Sequence, residues 1–135
     1  MIEGLFAPEG GWVVRIRDLS ADDPSAPEAV EEVAGFTSLM HANAFARRYV
    51  RDSVERCRVP GAAPEDVAAD WHAFGEDAEV ADAGAAAWTS AAELAHFAAH
   101  PVPPGSEERD WRSLDPRRDS EDVDVDVGDM GGEEA

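Results

Sequence analysis

The longest stretch of helical periodicity in this sequence runs from Leu39 to Arg58. Apolar residues recur there at spacings of three and four, which places them on one face of a helix of about five turns. Ser38 stands at the position expected for a helix N-cap, and Pro60-Gly61 follows where the helix should end. A helix with one apolar face is stable mainly when that face packs against another apolar layer.

Two predicted strands supply that layer. The stretch WVVRIRDL alternates, so that Trp12, Val14 and Ile16 share one face of a half-buried strand. After a loop with two prolines, the stretch AVEEVAGF, residues 29–36, predicts a second strand that returns antiparallel to the first.

A second, shorter helix is predicted from Pro64 to the residue before Gly75. Proline suits the first helical position and glycine suits the position after the last. Val67, Trp71 and Phe74 should share its buried face. The following residues, 76–90, predict a short hairpin.

Two segments of the chain resemble each other. Each has an aromatic residue, Thr and Ser, and then Phe-Ala at the same offset: Phe36-Thr37-Ser38 with Phe45-Ala46, and Trp88-Thr89-Ser90 with Phe97-Ala98. Ser90 and Glu93 have the spacing of a capping box. We therefore predict an α+β fold with a small antiparallel sheet of three or four strands and two main helices on one face. The similarity of the two segments has two explanations. An internal β-β-α repeat would give a sheet of four strands, whereas chance similarity in an alanine-rich chain would not require a fourth strand.

Composition divides the chain near residue 101. Residues 1–101 predict a single α+β domain, whereas residues 102–135 are rich in proline, glycine and acidic side chains and predict a largely disordered acidic tail. Trp111 and Leu114 form an apolar island within that tail. They could anchor in a partner's groove or fold back onto the domain and cover the open face of the sheet.

The formal net charge is −19, from 30 acidic and 11 basic residues, and every basic residue is arginine. This charge repels phosphate, so direct binding to nucleic acid or to an anionic membrane is disfavoured. No apolar run is long enough to span a bilayer, and the chain has one cysteine, Cys57. We therefore expect a cytoplasmic protein without an intrachain disulfide.

Candidate chemical groups are few. His96 and His100 are four residues apart, with Glu93 nearby, which is a spacing that metal sites use, although Pro101 disturbs the helix there. Residues 122–133 match several positions of a calcium loop but have Val127 where glycine is required. Cys57 lies on an apolar helix face without a motif that would activate it. We therefore expect no catalytic residue, no metal and no cofactor.

The first long helix is the basic part of the molecule, with five arginines and two acidic residues between Leu39 and Arg58. Arg47, Arg51 and Arg58 fall on one stripe, which we expect to face outward. The stripe could dock an acidic partner, or it could be neutralised by pairs within the helix. The predicted partner-binding residues are Arg47, Arg51, Arg58, Trp111 and Leu114.

These features favour a non-catalytic module for protein–protein interaction or regulation, for which a second copy of the chain is one candidate partner. A compact acidic domain could instead imitate nucleic acid and, as an inhibitor or immunity-type protein, occupy a basic cleft. A small metal-dependent enzyme is the third alternative.

Overall fold

A three-stranded antiparallel sheet forms one layer of the molecule, with the strand order β2-β1-β3. The computed structural model describes residues 10–24 and 26–118. The elements are β1 (Trp12–Asp18), β2 (Val30–Phe36), α1 (Leu39–Cys57), α2 (Pro64–Phe74), β3 (Glu76–Val80) and α3 (Leu94–Ala99), joined by turns and short 3-10 helices. The predicted α+β class with a small antiparallel sheet is confirmed.

The central strand is β1, and its alternation decides which face of the sheet is buried. Val14 lies opposite Val33 of β2 and Val80 of β3, and all three side chains are buried. Arg15, on the other face, is exposed. We call the buried side the inner face and the other side the outer face.

A β-bulge in β2 keeps both of its large apolar residues on the inner face. Val33 and Phe36 are three residues apart, so a regular strand would direct them to opposite faces. The register shifts between the pairs Val14–Val33 and Trp12–Phe36, and both β2 side chains are buried. Gly35 has a φ of +99° at this irregularity, a conformation that glycine adopts without strain.

Helix α1 lies across the inner face, as its apolar periodicity predicted. Ser38 is the N-cap, and its Oγ accepts a hydrogen bond from the backbone N–H of His41 at 3.0 Å. The buried apolar residues of α1 pack with those of the sheet and with Val67 and Trp71 of α2. Within residues 10–24 and 26–118, no helix combines the length and apolarity needed to cross a bilayer.

The second half of the proposed repeat has a different structure. The predicted hairpin is wrong, because residues 76–90 form one strand, which pairs with β1, and then a 3-10 turn at Gly84–Ala86. The amide of Asn43 holds the returning chain, since its Nδ2 donates to the Ala86 carbonyl at 3.0 Å and its Oδ1 accepts from the Trp88 N–H at 2.9 Å. The described residues therefore contain three strands, not four.

The capping box predicted at Ser90 is also wrong. Ser90 begins a 3-10 turn, Ser90–Ala92, without a side-chain cap, and α3 has only six residues. The Glu93 carboxylate instead accepts hydrogen bonds from Arg47 and from the indole of Trp88. Arg47 of α1 therefore binds the carboxylate that the capping box would use.

Residues 102–118, which we call the C-terminal segment, pack against α1 through two short 3-10 turns. The ring of Trp111 lies 4.8 Å from the ring of Tyr49 and 5.9 Å from that of Phe45, measured between centroids. The predicted boundary at residue 101 is therefore not where the packed structure ends. The acidic stretch 119–135, where disorder was also predicted, lies outside the described residues.

The two serines provide a matched test of this fold. Replacement of Ser38 by alanine should lower the free energy of unfolding by about 1 kcal/mol, because the helix loses a side-chain acceptor for a free N–H group. Ser90→Ala should change it by less than about 0.5 kcal/mol, since Ser90 caps no helix with its side chain. Urea unfolding of both variants measures the difference, and equal losses would mean that the second cap exists.

Candidate functional site

The predicted docking stripe of arginines is engaged within the chain. Arg47 pairs with both carboxylate oxygens of Glu93, with Nη2 3.0 Å from Oε2. Arg51 is only 1% exposed and donates to the carbonyls of Phe97 and His100. The expectation that this stripe faces outward is therefore wrong.

Arg58 completes the same cluster. Its Nε and Nη2 contact the two oxygens of Glu55 at 2.7 and 2.8 Å, and its Nη groups donate to the carbonyls of Phe97 and Ala98 at 2.9 Å. Arg51 also lies 3.2 Å from Glu55. The two guanidinium groups thus satisfy carbonyls at the C-terminal end of α3, where a helix leaves such groups unpaired.

Burial acts on the charge of Arg51. It lowers the pKa of the guanidinium, and the carboxylates of Glu55 and Glu108 oppose that effect. Glu108 comes from the C-terminal segment and lies 3.4 Å from Arg51 Nε.

The spacing of charges in the sequence indicated ion pairs of the arginines within α1. It did not indicate the arginines' partners that lie about 40 to 60 residues away, since only packing brings those residues close.

Trp111 and Leu114, the other predicted partner-binding residues, lie against α1. The indole N–H of Trp111 donates to Asp52 Oδ2 at 3.2 Å, and Arg109 Nε donates to Asp52 Oδ1 at 2.7 Å. The carbonyl oxygen of Leu114 is 2.7 Å from His41 Nε2. Of the two alternatives for this island, folding back is observed, although onto α1 and not onto the outer face of the sheet.

The candidate metal ligands His96, His100 and Glu93 do not form a three-ligand group. The rings of His96 and His100 stack with centroids 4.3 Å apart, and Glu93 faces Arg47. Within residues 10–24 and 26–118, no group of three or more His, Cys, Asp or Glu side chains could hold a metal ion. The calcium-like stretch 122–133 lies outside the described residues.

A surface groove of about 720 Å³ lies beside the C-terminal ends of α1 and α2 and the first residue of β3. We call it the acidic groove and define it by its lining residues: Asp18, Ser20, Ser53, Arg56, Cys57, Val59, Asp70, Phe74, Gly75 and Glu76.

Two large apolar side chains of this groove are unusually exposed. Phe74 is 69% exposed and Val59 is 55% exposed. The third exposed large apolar side chain of the described residues, Met40, is at the start of α1 and does not line the groove. Phe74 and Val59 therefore both offer apolar surface within one groove that polar residues also line.

Close packing at the end of α2 directs Trp71 inward. A Cβ atom at position 75 would lie 2.3 Å from Cδ1 of Trp71, so only glycine fits there. The indole N–H of Trp71 donates to Ser53 Oγ at 3.2 Å, and the same Oγ accepts the backbone N–H of Glu76 at 2.9 Å. With Trp71 buried, Phe74 lies on the solvent side of the last turn, which corrects the prediction that it shares the buried face.

The groove carries net negative charge. Its ionisable carboxylates are Asp18, Asp70 and Glu76, against the single guanidinium of Arg56, so three negative charges and one positive charge leave −2. Hydrogen bonds from the hydroxyl and the N–H of Ser20 lower the pKa of Asp18. Glu76 Oε1 accepts from the Tyr49 hydroxyl at 2.8 Å and lies 3.4 Å from Arg56 Nη2.

Cys57 also lines the groove, with a half-buried side chain. Burial raises the pKa of its thiol, while the charge of Arg56 opposes that effect. The raised pKa disfavours the thiolate, which is the nucleophilic form.

Sequence reasoning missed this groove. The order Phe74-Gly75 was a usable signal that Phe74 is exposed. A residue in the last turn of a helix, next to the glycine that ends it, need not lie on the buried apolar face of that helix. Val59 offered a weaker signal, since it follows the end of α1 and precedes Pro60.

Comparison with known proteins identifies no relative: no family model, no curated protein and no solved structure matches the chain.

The buried role of Arg51 has a direct test. Arg51→Ala should lower the free energy of unfolding by about 3 kcal/mol, because it removes the guanidinium that donates to the carbonyls of Phe97 and His100 and pairs with the buried carboxylate of Glu55. Arg15→Ala is the control, since the pair of Arg15 with Glu32 is about half exposed. Its loss should cost less than about 1 kcal/mol in urea unfolding, and a similarly small loss for Arg51→Ala would contradict the buried cluster.

The Arg47–Glu93 pair predicts a dependence of stability on pH. The hydrogen bond from Arg47 lowers the pKa of Glu93, burial opposes this, and the Trp88 indole adds to the lowering. The stability that ionised Glu93 contributes should therefore be complete above the usual glutamate pKa of about 4.3 and be lost as the pH falls through the lower folded value.

Unfolding of the wild type and Glu93→Gln should be compared between about pH 6 and about pH 3. The difference should be largest at the upper end and should shrink as the pH falls. Glu79→Gln removes an exposed carboxylate on the outer face as a control, and it should change stability by less than about 0.5 kcal/mol at pH 6. A difference for Glu93→Gln that grows on acidification would contradict the assignment.

Proposed function

We propose that this chain is a non-catalytic protein-interaction module that binds its partner through the acidic groove. The exposure of Phe74 and Val59 in one groove is the observation that carries the proposal. Exposed apolar surface costs free energy in water, and covering it with a partner recovers that free energy. We place the module in the cytoplasm, where a single unpaired cysteine stays reduced.

The geometry supports the groove better than it supports the arginine stripe. Arg47, Arg51 and Arg58 already have carboxylate and carbonyl partners, so an acidic partner would have to displace them. Phe74, in contrast, is exposed at the surface, and its ring can be covered without breaking a buried contact. The proposed function is therefore the interaction module predicted from the sequence, whereas the proposed binding surface is the acidic groove and not the arginine stripe.

Nucleic-acid mimicry remains an alternative prediction, supported by the net charge of −19. A mimic presents free carboxylates to a basic cleft. In the described part of the chain, many carboxylates are paired with arginines: Glu31, Glu32, Asp52, Glu55, Glu76, Glu93 and Asp115. This pairing leaves fewer carboxylates for a mimic to present to a basic cleft.

The proposal is tested by partner binding with two matched serine variants. Proteins recovered with the intact chain from an extract of the source organism are purified and titrated against the wild type, Phe74→Ser and Met40→Ser. Phe74→Ser should weaken binding of the true partner about tenfold or more, because a buried aromatic contact is lost. Met40→Ser removes another exposed apolar side chain, outside the groove, and should leave the affinity unchanged.

The same titrations include alkylation of Cys57, the single cysteine of the chain. A partner seated in the groove should slow this reaction. Purified partners that bind Phe74→Ser as tightly as the wild type and leave Cys57 reactive would overturn the proposal.

A further inference from the structure

We propose that the acidic groove accepts a short cationic segment of a partner protein, rich in arginine and carrying one aliphatic anchor side chain. This inference rests on the proposed function and adds the chemistry of the partner. Its two parts, the positive charge and the apolar anchor, follow from different residues of the lining.

The charge of the partner follows from the carboxylates. Asp18, Asp70 and Glu76 line the groove, and the one guanidinium there is already held, since Arg56 Nε is 3.4 Å from Asp52 and Nη2 is 3.4 Å from Glu76. An anionic segment would meet three carboxylates and no unengaged cation in the described lining. A cationic segment offsets the negative charge, and arginine can pair with a carboxylate through two hydrogen bonds.

The anchor follows from the apolar part of the same lining. Phe74 and Val59 are exposed there, and the half-buried Cys57 provides a third weakly polar surface. A groove of about 720 Å³ has room for a few side chains and not for a helical domain. One leucine-sized side chain would cover Phe74 while flanking arginines reach the carboxylates.

Binding should depend on side chains and not on addition of a strand to β3. The backbone N–H of Glu76 donates to Ser53 Oγ at 2.9 Å, and that of Ala78 donates to Asp77 Oδ1 at 2.9 Å. These side chains occupy donors that an added strand would need. The edge of β3, an alternative docking place, is therefore partly blocked.

The probe is the peptide Ac-Arg-Arg-Leu-Arg-Arg-NH2, titrated into the intact chain. It is compared with one peptide in which serine replaces leucine and another in which glutamate replaces every arginine. Occupancy is read from the rate at which iodoacetamide alkylates Cys57 and from the amide resonances of residues 57–59 and 74–76. The peptides contain no thiol or amine, so they do not consume the reagent.

We expect the leucine peptide to slow alkylation of Cys57 about tenfold at saturation and to shift the groove resonances. Replacement of leucine by serine should weaken binding about tenfold. The affinity should also fall as salt is raised, because exposed charge pairs are screened. The glutamate peptide should neither protect Cys57 nor shift those resonances.

A matched pair of protein variants separates a defined site from general attraction to an acidic protein. Asp70→Asn removes a groove carboxylate, whereas Asp66→Asn removes an exposed carboxylate on the same helix outside the groove. Asp70→Asn should weaken the leucine peptide by about threefold to tenfold, and Asp66→Asn should not. Equal effects of the two variants, or equal protection of Cys57 by the glutamate peptide, would overturn the cationic partner.

The two proposals fail in distinguishable ways. If a purified partner depends on Phe74 while the glutamate peptide protects Cys57 as well as the arginine peptide does, the interaction module stands and the cationic chemistry is wrong. If purified partners bind Phe74→Ser as tightly as the wild type, the groove is not the interaction surface, even if the arginine peptide binds there.

Discussion

The buried guanidinium of Arg51 joins α1 to two segments that pack against it, the end of α3 and the C-terminal segment. It contacts Glu55 on its own helix, the carbonyls of Phe97 and His100 at the end of α3, and Glu108 in the C-terminal segment. Its charge also lies 4.7 Å from the centroid of the Phe97 ring. A charge in a low-dielectric interior is tolerated only when several partners compensate it, so these segments must assemble together.

The same constraint accounts for the arginine content of α1. Three more arginines of this region connect α1 to segments from elsewhere in the chain: Arg47 to Glu93, Arg48 to the Asp110 carbonyl, and Arg58 to the end of α3. The local positive charge of this helix is thus balanced by acidic residues and carbonyls that fold onto it. In this molecule the basic helix is a structural centre, because its arginines hold segments from elsewhere in the chain.

The acidic groove is a consequence of how α2 ends. Trp71 must be buried because its ring fills the space beside Gly75, and its N–H is held by Ser53. Phe74 then lies on the solvent side, three residues later, beside carboxylates that come from three different elements. Packing brings an apolar side chain and negative charge together there, and this combination is the basis of the proposed cationic partner segment.

The amino-acid sequence by itself determined β1, β2, α1 with its Ser38 cap, and the position of α2. Those features depend on residues within a few positions of one another, through alternation, helical spacing and caps, so local patterns contain the information. The tertiary structure decided what the arginines contact, why Ser90 caps nothing, why residues 102–118 are packed, and that Phe74 is exposed. Each of these depends on a partner or a steric contact that folding supplies, such as Glu93 for Arg47 or Asp52 for Trp111, and a local pattern cannot specify a partner that lies 46 or 59 residues away.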